Sequence, residues 1–343
     1  MDAGLTDRKR IILNEIISDY VLYGDPVGST RIAGKSGLGL SSASIRNVMS
    51  DLESMGLLTH PHTSSGRIPT EKAYRYYVNE LLRAMKAPQE DISYIENSFT
   101  GRFDINSALR ESSKLLSSLC HQMSIVMRPS LSNIVFKRIE FIKMGKGRLL
   151  ALLISKTGVV LNKVFDMEEE ISSSDVEKIN NYLNSILEGL TIEEVKSRII
   201  GQMKEEKSLY DALLSKALKL GAAFVEEERE DDFYVDGAFN ILGYPEFADA
   251  EKMKRLFNAF EEKSILIDML DRTVKSKDLS VWIGSESGME EMEGLSLVTS
   301  PYGTDERMLG CIGILGSTRM DYSRVIPIVK YTARKLSDII RED

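Results

Sequence analysis

Apolar residues in the first third of the chain recur at helical spacing, and glycine-bearing breaks separate the runs. Ile12, Ile16 and Tyr20, with Leu13 and Ile17 beside them, predict a first helix that Thr6 can cap and Gly24-Asp25-Pro26 ends. A short second helix is predicted from Ser29, with Ile32 and Ala33 inward and Arg31 and Lys35 outward; residues 36–40 read as a turn. The third helix lies between Ser41, a good N-cap, and Gly56, a good stop. Its apolar stripe is Ile45, Val48, Met49, Leu52 and Met55; Ala43, Asn47, Ser50 and Ser54 fall opposite, flanked by Ser44 and Arg46.

A short strand is predicted over 57–60, a loop over 61–66, and a return through Arg67-Ile68-Pro69. Thr70 then caps a fourth helix whose apolar face is Tyr74, Tyr77, Val78, Leu81, Leu82 and Met85, and Ala87-Pro88 closes the first domain at 1–87. Helix, turn, helix and small hairpin in this order make a winged helix.

The polar face of the third helix suits a major groove. Small residues permit close approach, Asn47 can make a bidentate contact to adenine, and Arg46 can reach guanine or a phosphate. Ser41, Ser42 and the free N–H groups of the first turn can hold a backbone phosphate, and Ser44 and Ser50 complete the face. His62, Thr63, Ser64 and Arg67 equip the wing for phosphate or minor-groove contact. The alternative is an ordinary solvated face, since polar outer faces are the default for amphipathic helices and some winged helices bind only proteins.

The rest of the pattern is mixed. Residues 88–130 read as largely helical, with Leu109, Leu115, Leu116 and Leu119 inward, ending in a strand at 124–127. Strands follow over 134–144, 148–155 and 159–166, then helices over 175–188, 191–202 and 206–229. Strands return at 233–235, 279–284, 295–301 and 309–315 before a last helix over 322–341, with Val325, Ile328, Val329, Leu336 and Ile340 inward. The fold class is α+β.

Charge changes the picture in one respect. The 343 residues carry a net charge of −8, a poor prior for nucleic-acid binding, yet the first 86 hold 11 basic against 9 acidic side chains and the remainder 33 against 43. A DNA-binding module needs a basic face rather than a basic chain. The two cysteines, Cys120 and Cys311, are far apart, which argues for a reducing compartment and against a disulfide framework. No apolar run reaches membrane-span length and no signal-peptide pattern opens the chain, so a cytoplasmic protein is expected.

Enzyme signatures are missing: there is no P-loop, GxSxG or HExxH motif. His60 and His62 flank Pro61 without a cysteine or carboxylate cluster, so DNA or solvent contact is preferred to a metal pair. The acidic runs Glu168-Glu169-Glu170 and 226–232 read as solvated faces, and Arg319 and Asp321 as residues that fix the turn before the last helix. Neither a cofactor nor a metal is expected.

Two blocks of residues resemble the bacterial HrcA family of heat-inducible repressors. The first comprises Pro26-Val27-Gly28-Ser29, Ser44-Ile45-Arg46-Asn47, Leu52-Glu53-Ser54-Met55-Gly56-Leu57-Leu58, the wing run from His62 to Thr70, and Tyr74-Arg75-Tyr76-Tyr77-Val78. The second is Gly310, Gly313, Leu315-Gly316 and Thr318-Arg319-Met320-Asp321-Tyr322, with weaker matches at Asp236-Gly237, Asn240-Ile241-Leu242 and Glu246-Phe247 between the two. Ser65, Ala73 and Ser317 depart from the commoner Ala, Gly and Pro.

The resemblance implies a winged helix followed by a GAF-like antiparallel α/β domain (88–165 and 233–343). This domain would carry an inserted, mostly helical dimerisation domain at 166–232, whose start could lie as early as 134. It also implies a homodimer on an inverted-repeat operator of double-stranded DNA upstream of chaperone and chaperonin operons, released on heat shock, with chaperonin keeping the repressor active. Two other readings stay open: a metabolite-gated transcription factor using the GAF-like domain as sensor, and an adaptor whose winged helix does not touch DNA.

Overall fold

The computed structural model describes residues 5–35, 39–61, 66–84, 87–100, 104–129, 135–145, 147–156, 160–167, 171–191, 194, 198, 219–221, 233–244, 263–289, 292–304 and 308–342. The first module runs α1 (Asp7–Tyr23), α2 (Ser29–Lys35), α3 (Ser42–Ser54), β1 (Leu58–Thr59), β2 (Ile68–Pro69) and α4 (Glu71–Ala84). Thr6 caps α1 by accepting from Lys9 N, and α1 ends where Gly24 turns left-handed at φ 78°. The buried residues of α1 (Ile12, Leu13, Ile16, Ile17) and α3 (Ile45, Val48, Met49, Leu52) meet in one core with Ile32 and Val78.

Asp19 on α1 is buried, accepts from Lys35 Nζ at 2.7 Å through one oxygen, and has Arg31 Nε 2.8 Å from the other as an ion pair. The two cations expected on the outside of α2 therefore turn back to fasten it to α1. The fourth helix narrows its expected face: Tyr74 and Val78 are buried and Tyr77 and Leu81 pack half-buried against the core, whereas Leu82 is exposed.

After α5 (Gln89–Ser98) and α6 (Ile105–Cys120) the chain builds one antiparallel sheet of five strands, in the order β7-β3-β10-β9-β8. These are β3 (Met123–Met127), β7 (Phe233–Asp236), β8 (Ser280–Ile283), β9 (Leu295–Gly303) and β10 (Met308–Ser317). On one face Val126, Val298, Ile312 and Ile314 pack under α6 and the last helix, α9 (Tyr322–Glu342); every residue expected inward on α9 is buried. On the other face Met123, Ile125, Leu297 and Leu315 pack under Leu266, Met269 and Leu270 of α8 (Lys263–Ser276). Helices on both sides of one antiparallel sheet, α6 and α9 on one and α8 on the other, fit the GAF-like expectation.

The sequence reading contains no helix at α8. Its stripe of Leu266, Met269, Leu270 and Thr273 has helical spacing, but the stripe includes a threonine. Burial of Thr273 is made tolerable by its hydroxyl contact with Thr299 Oγ1 at 2.7 Å.

Between β3 and β7 in sequence lie β4 (Phe136–Gly145), β5 (Arg148–Ser155) and β6 (Val160–Asp166), an antiparallel sheet of their own, and α7 (Ser173–Leu187). Val176, Ile179, Leu183 and Leu187 cover one face of it, over Phe136, Ile139, Phe141, Leu149, Ala151 and Leu153. Asn180 and Asn184 of α7 accept from the backbone N–H of Phe141 and Ile139 at 2.8 and 2.9 Å, tying helix to strand. The helices expected over 191–202 and 206–229 fall largely outside the described residues.

Candidate nucleic-acid interface

The third helix turns most of its expected polar face to solvent. Ser41 caps it by accepting from Ser44 N at 3.2 Å. Ser41, Ala43, Arg46, Asn47 and Ser50 are exposed; Ser42 and Ser44 are half-buried. Ser42 is committed inward, its hydroxyl 2.9 Å from Ser29 Oγ and 3.3 Å from Thr30 Oγ1, which fixes α3 against α2. Asp51, the acidic intruder on this helix, is paired with Lys9 at 2.9 Å. The cation of Arg46 and the amide of Asn47 thus face solvent near a helix start, where the Ser41 cap takes the Ser44 N–H and the positive end of the helix favours an anion.

The wing is rooted by one carboxylate. Leu58 pairs with Pro69 and Thr59 with Ile68, and Arg67 exchanges two backbone hydrogen bonds with Val27 at 2.8 and 2.9 Å. At Gly66 a Cβ would come within 2.5 Å of the Val27 carbonyl oxygen, so the hairpin closes only over glycine. Glu53, at the end of α3, accepts from His60 Nδ1 at 2.6 Å and from Arg67 Nε and Nη2 at 2.9 Å. The bond from His60, then the Arg67 charge, holds the Glu53 carboxyl below its usual range against the opposing effect of burial. Arg67 therefore sits at the root of the wing with its guanidinium engaged. His62, Thr63 and Ser64 lie outside the described residues.

Sequence reasoning missed a second set of residues, where the winged helix docks on the five-stranded sheet. Arg75 of α4 donates through Nε to Glu286 Oε1 at 2.8 Å and through Nη2 to the Val281 carbonyl at 2.6 Å, with a further contact between Nη2 and Glu286. Glu71 accepts from Ser285 N and Oγ at 3.2 and 2.6 Å. Arg319, expected only to fix its own turn, reaches the carbonyls of Val21 and Tyr20 at 3.0 and 3.4 Å, at the end of α1. Between these points the Tyr74 and Tyr322 rings lie 5.8 Å apart. Both partners belonged to the blocks noticed in the sequence, but nothing local announces a contact between them.

Among the described residues no three His, Cys, Asp or Glu side chains gather as a metal site, and no helix is long and apolar enough to cross a membrane.

A helix-turn-helix with an exposed polar second helix and a small wing, joined to a sheet domain, is the architecture of a winged-helix transcription regulator, and the family it matches is one of repressors rather than enzymes. Residues 4–82 match the family model described as a winged helix-turn-helix transcription repressor, HrcA DNA-binding, and residues 106–326 match the HrcA protein C-terminal domain. The chain belongs to the HrcA family. The heat-inducible transcription repressor HrcA of Geobacter sulfurreducens is 43% identical over 98% of this chain and 99% of its own length. That of Syntrophobacter fumaroxidans is 40% identical over 99% of each. A crystal structure named only as that of a hypothetical protein superposes with a TM-score of 0.69 at 25% identity, covering 99% of both chains.

Proposed function

We propose that this chain is a cytoplasmic, heat-inducible repressor of chaperone and chaperonin operons. It binds an inverted-repeat operator as a homodimer, is released on heat stress, and is kept active by chaperonin. The observation that carries the reading is the exposed row Ser41, Arg46, Asn47 and Ser50 at the start of α3, together with the half-buried Ser42 and Ser44. Arg46 and Asn47 are the base-reading candidates, and Ser41, Ser42, Ser44 and Ser50 line the approach to the backbone. Arg67 acts by anchoring the wing that carries His62, Thr63 and Ser64.

The dimer is supported by the three-stranded sheet. Its face away from α7 carries Ile142, Met144, Val160 and Val164, each 41 to 51% exposed, around the half-buried Leu150, Leu152 and Ile154. An open apolar sheet face is costly in water and suits the same face of a second copy, since a two-fold axis makes one patch self-complementary. The expected division is 1–87 for the winged helix, 88–165 and 233–343 for the GAF-like domain and 166–232 for the insert; because β4 to β6 form a sheet of their own, this reading takes the earlier start of the insert, near 134. A two-fold dimer presents two α3 helices to two half-sites, hence the palindrome.

The test is fluorescence anisotropy with an inverted-repeat duplex from a chaperonin-operon promoter and a scrambled duplex, at near-physiological salt, with and without chaperonin. Tight binding to the repeat alone, strengthened by chaperonin and lost steeply with salt, is expected. Equal weak binding of folded protein to both duplexes would overturn it.

A further inference from the structure

We propose that Arg319 and the Arg75–Glu286 pair set the half-site spacing that the repressor accepts, by holding the winged helix at one angle to the sheet domain. The inference rests on the dimeric, inverted-repeat reading above. In such a dimer the two-fold contact fixes one sheet domain relative to the other, and each α3 is placed by whatever joins its winged helix to that body.

The joint has two anchor points, one on each outer helix of the module. At the first, Arg319 donates to the Val21 carbonyl at 3.0 Å, in the last turn of α1, and reaches the Tyr20 carbonyl at 3.4 Å beside the Gly24 N–H that it already accepts. The guanidinium passes close to Gly24, left-handed at φ 78°, where a Cβ would lie 3.2 Å from it and crowd it. At the second, Arg75 takes Glu286 and the Val281 carbonyl while Glu71 receives Ser285 from the same turn. Here too a glycine makes room: Gly284 has φ 53°, and a Cβ on it would overlap the Glu71 carboxylate.

Glu286 is held in turn by accepting from Ile283 N at 3.2 Å, so the carboxylate meets Arg75 already oriented. Tyr74 and Tyr322 fill the space between the anchors, and the Tyr322 hydroxyl is fixed by Ser296 at 2.7 Å and Thr318 at 3.0 Å. Two polar anchors on either side of a ring contact resist rotation in a way that one could not. None of these residues lies on the exposed face of α3 or in the wing, so they act on spacing and leave half-site reading to the module itself.

One inserted base pair moves a half-site by about 3.4 Å and rotates it by roughly 35°. A rigid joint cannot follow that displacement, whereas a loosened one can. The test uses the full chain with inverted-repeat duplexes whose spacer is varied one base pair at a time, and with a duplex carrying a single half-site. Wild type is expected to show a sharp optimum, with affinity about tenfold lower one base pair away. The double variant Arg75→Gln with Arg319→Gln is expected to flatten the optimum to within about threefold, a difference of roughly 0.7 kcal/mol between spacers, while single half-site affinity stays at the wild-type value. Arg319→Lys, which still donates to the carbonyls, should keep the optimum.

A folded double variant with the wild-type optimum would overturn the inference. So would a parallel loss on every duplex including the single half-site, which would mark the joint as mere support for the module. If the double variant does not fold, Glu286→Gln alone should broaden the optimum, and an unchanged optimum in it would equally overturn the proposal. A wild type without any optimum would refute the inverted-repeat reading itself, and the inference with it.

Discussion

Asp19→Ala is the most informative perturbation of the winged helix. The Asp19 side chain is wholly buried on α1, while its partners on α2, Arg31 and Lys35, are 34 and 44% exposed. Tyr23 stacks beneath the same cations, its ring centre 4.0 Å from the Arg31 guanidinium. Removing one member of a fully buried ion pair costs about 3–5 kcal/mol because a charge is left stranded. Here the charges left behind are cations that can turn to water, so the cost falls to that of the lost charge-assisted bonds, about 2–3 kcal/mol. Asp19→Asn keeps the volume and one acceptor and should lose about half as much.

The damage should propagate, because α2 holds α3 through the Ser29–Ser42 contact. Affinity for every duplex should fall together, without a change in base preference. Urea unfolding at neutral pH gives the first quantity and anisotropy the second. A stability loss in Asp19→Ala below about 0.5 kcal/mol, as expected at an ordinary surface position, would refute the reasoning.

Three further outcomes follow from the same geometry. Asn47→Ala should relax base preference at one position by roughly 1–3 kcal/mol and leave other positions unchanged, read by single base-pair substitutions in the operator; a uniform loss would remove Asn47 from base reading. Arg67→Ala and Glu53→Gln should both weaken binding to every duplex alike, because each frees the wing root, and unequal base preference between the two variants would contradict that shared role. Glu53 is held below the usual carboxylate range by His60 and then Arg67, and Glu96 by Lys335 and then Tyr331. Both therefore contribute fully above the ordinary glutamate value of about 4.3 and lose that contribution as pH falls from there through their lower folded-state values. The urea midpoint should drop across that range, and less so in Glu53→Gln with Glu96→Gln; an equal drop would contradict the assignment.

The winged helix was legible because its signals are local. Thr6 and Ser41 cap the helices their positions suggested, and the stripe Ile45, Val48, Met49 and Leu52 is the buried one. What escaped is tertiary. Arg75 and Glu286 are 211 residues apart, and neither position has an apolar or capping pattern that would pair them. Arg319 looked like a turn residue because Asp321 beside it is one, accepting from Ser323 N at 3.1 Å. The strands β4 to β6 were readable from alternation, but alternation does not say which sheet a strand joins, and among the described strands these three form a sheet of their own. For the exposed face of α3, periodicity placed the residues but could not say that Ser42 would turn inward to Ser29.

The central claim is that two copies of this chain read two half-sites through α3. Sedimentation velocity of a labelled inverted-repeat duplex with the protein, beside a scrambled duplex of equal length, tests it most directly. Two chains on the repeat, with an Arg46→Ala and Asn47→Ala double variant leaving that duplex free, is the predicted result. A single chain per duplex, or the same complex on the scrambled sequence, would contradict it.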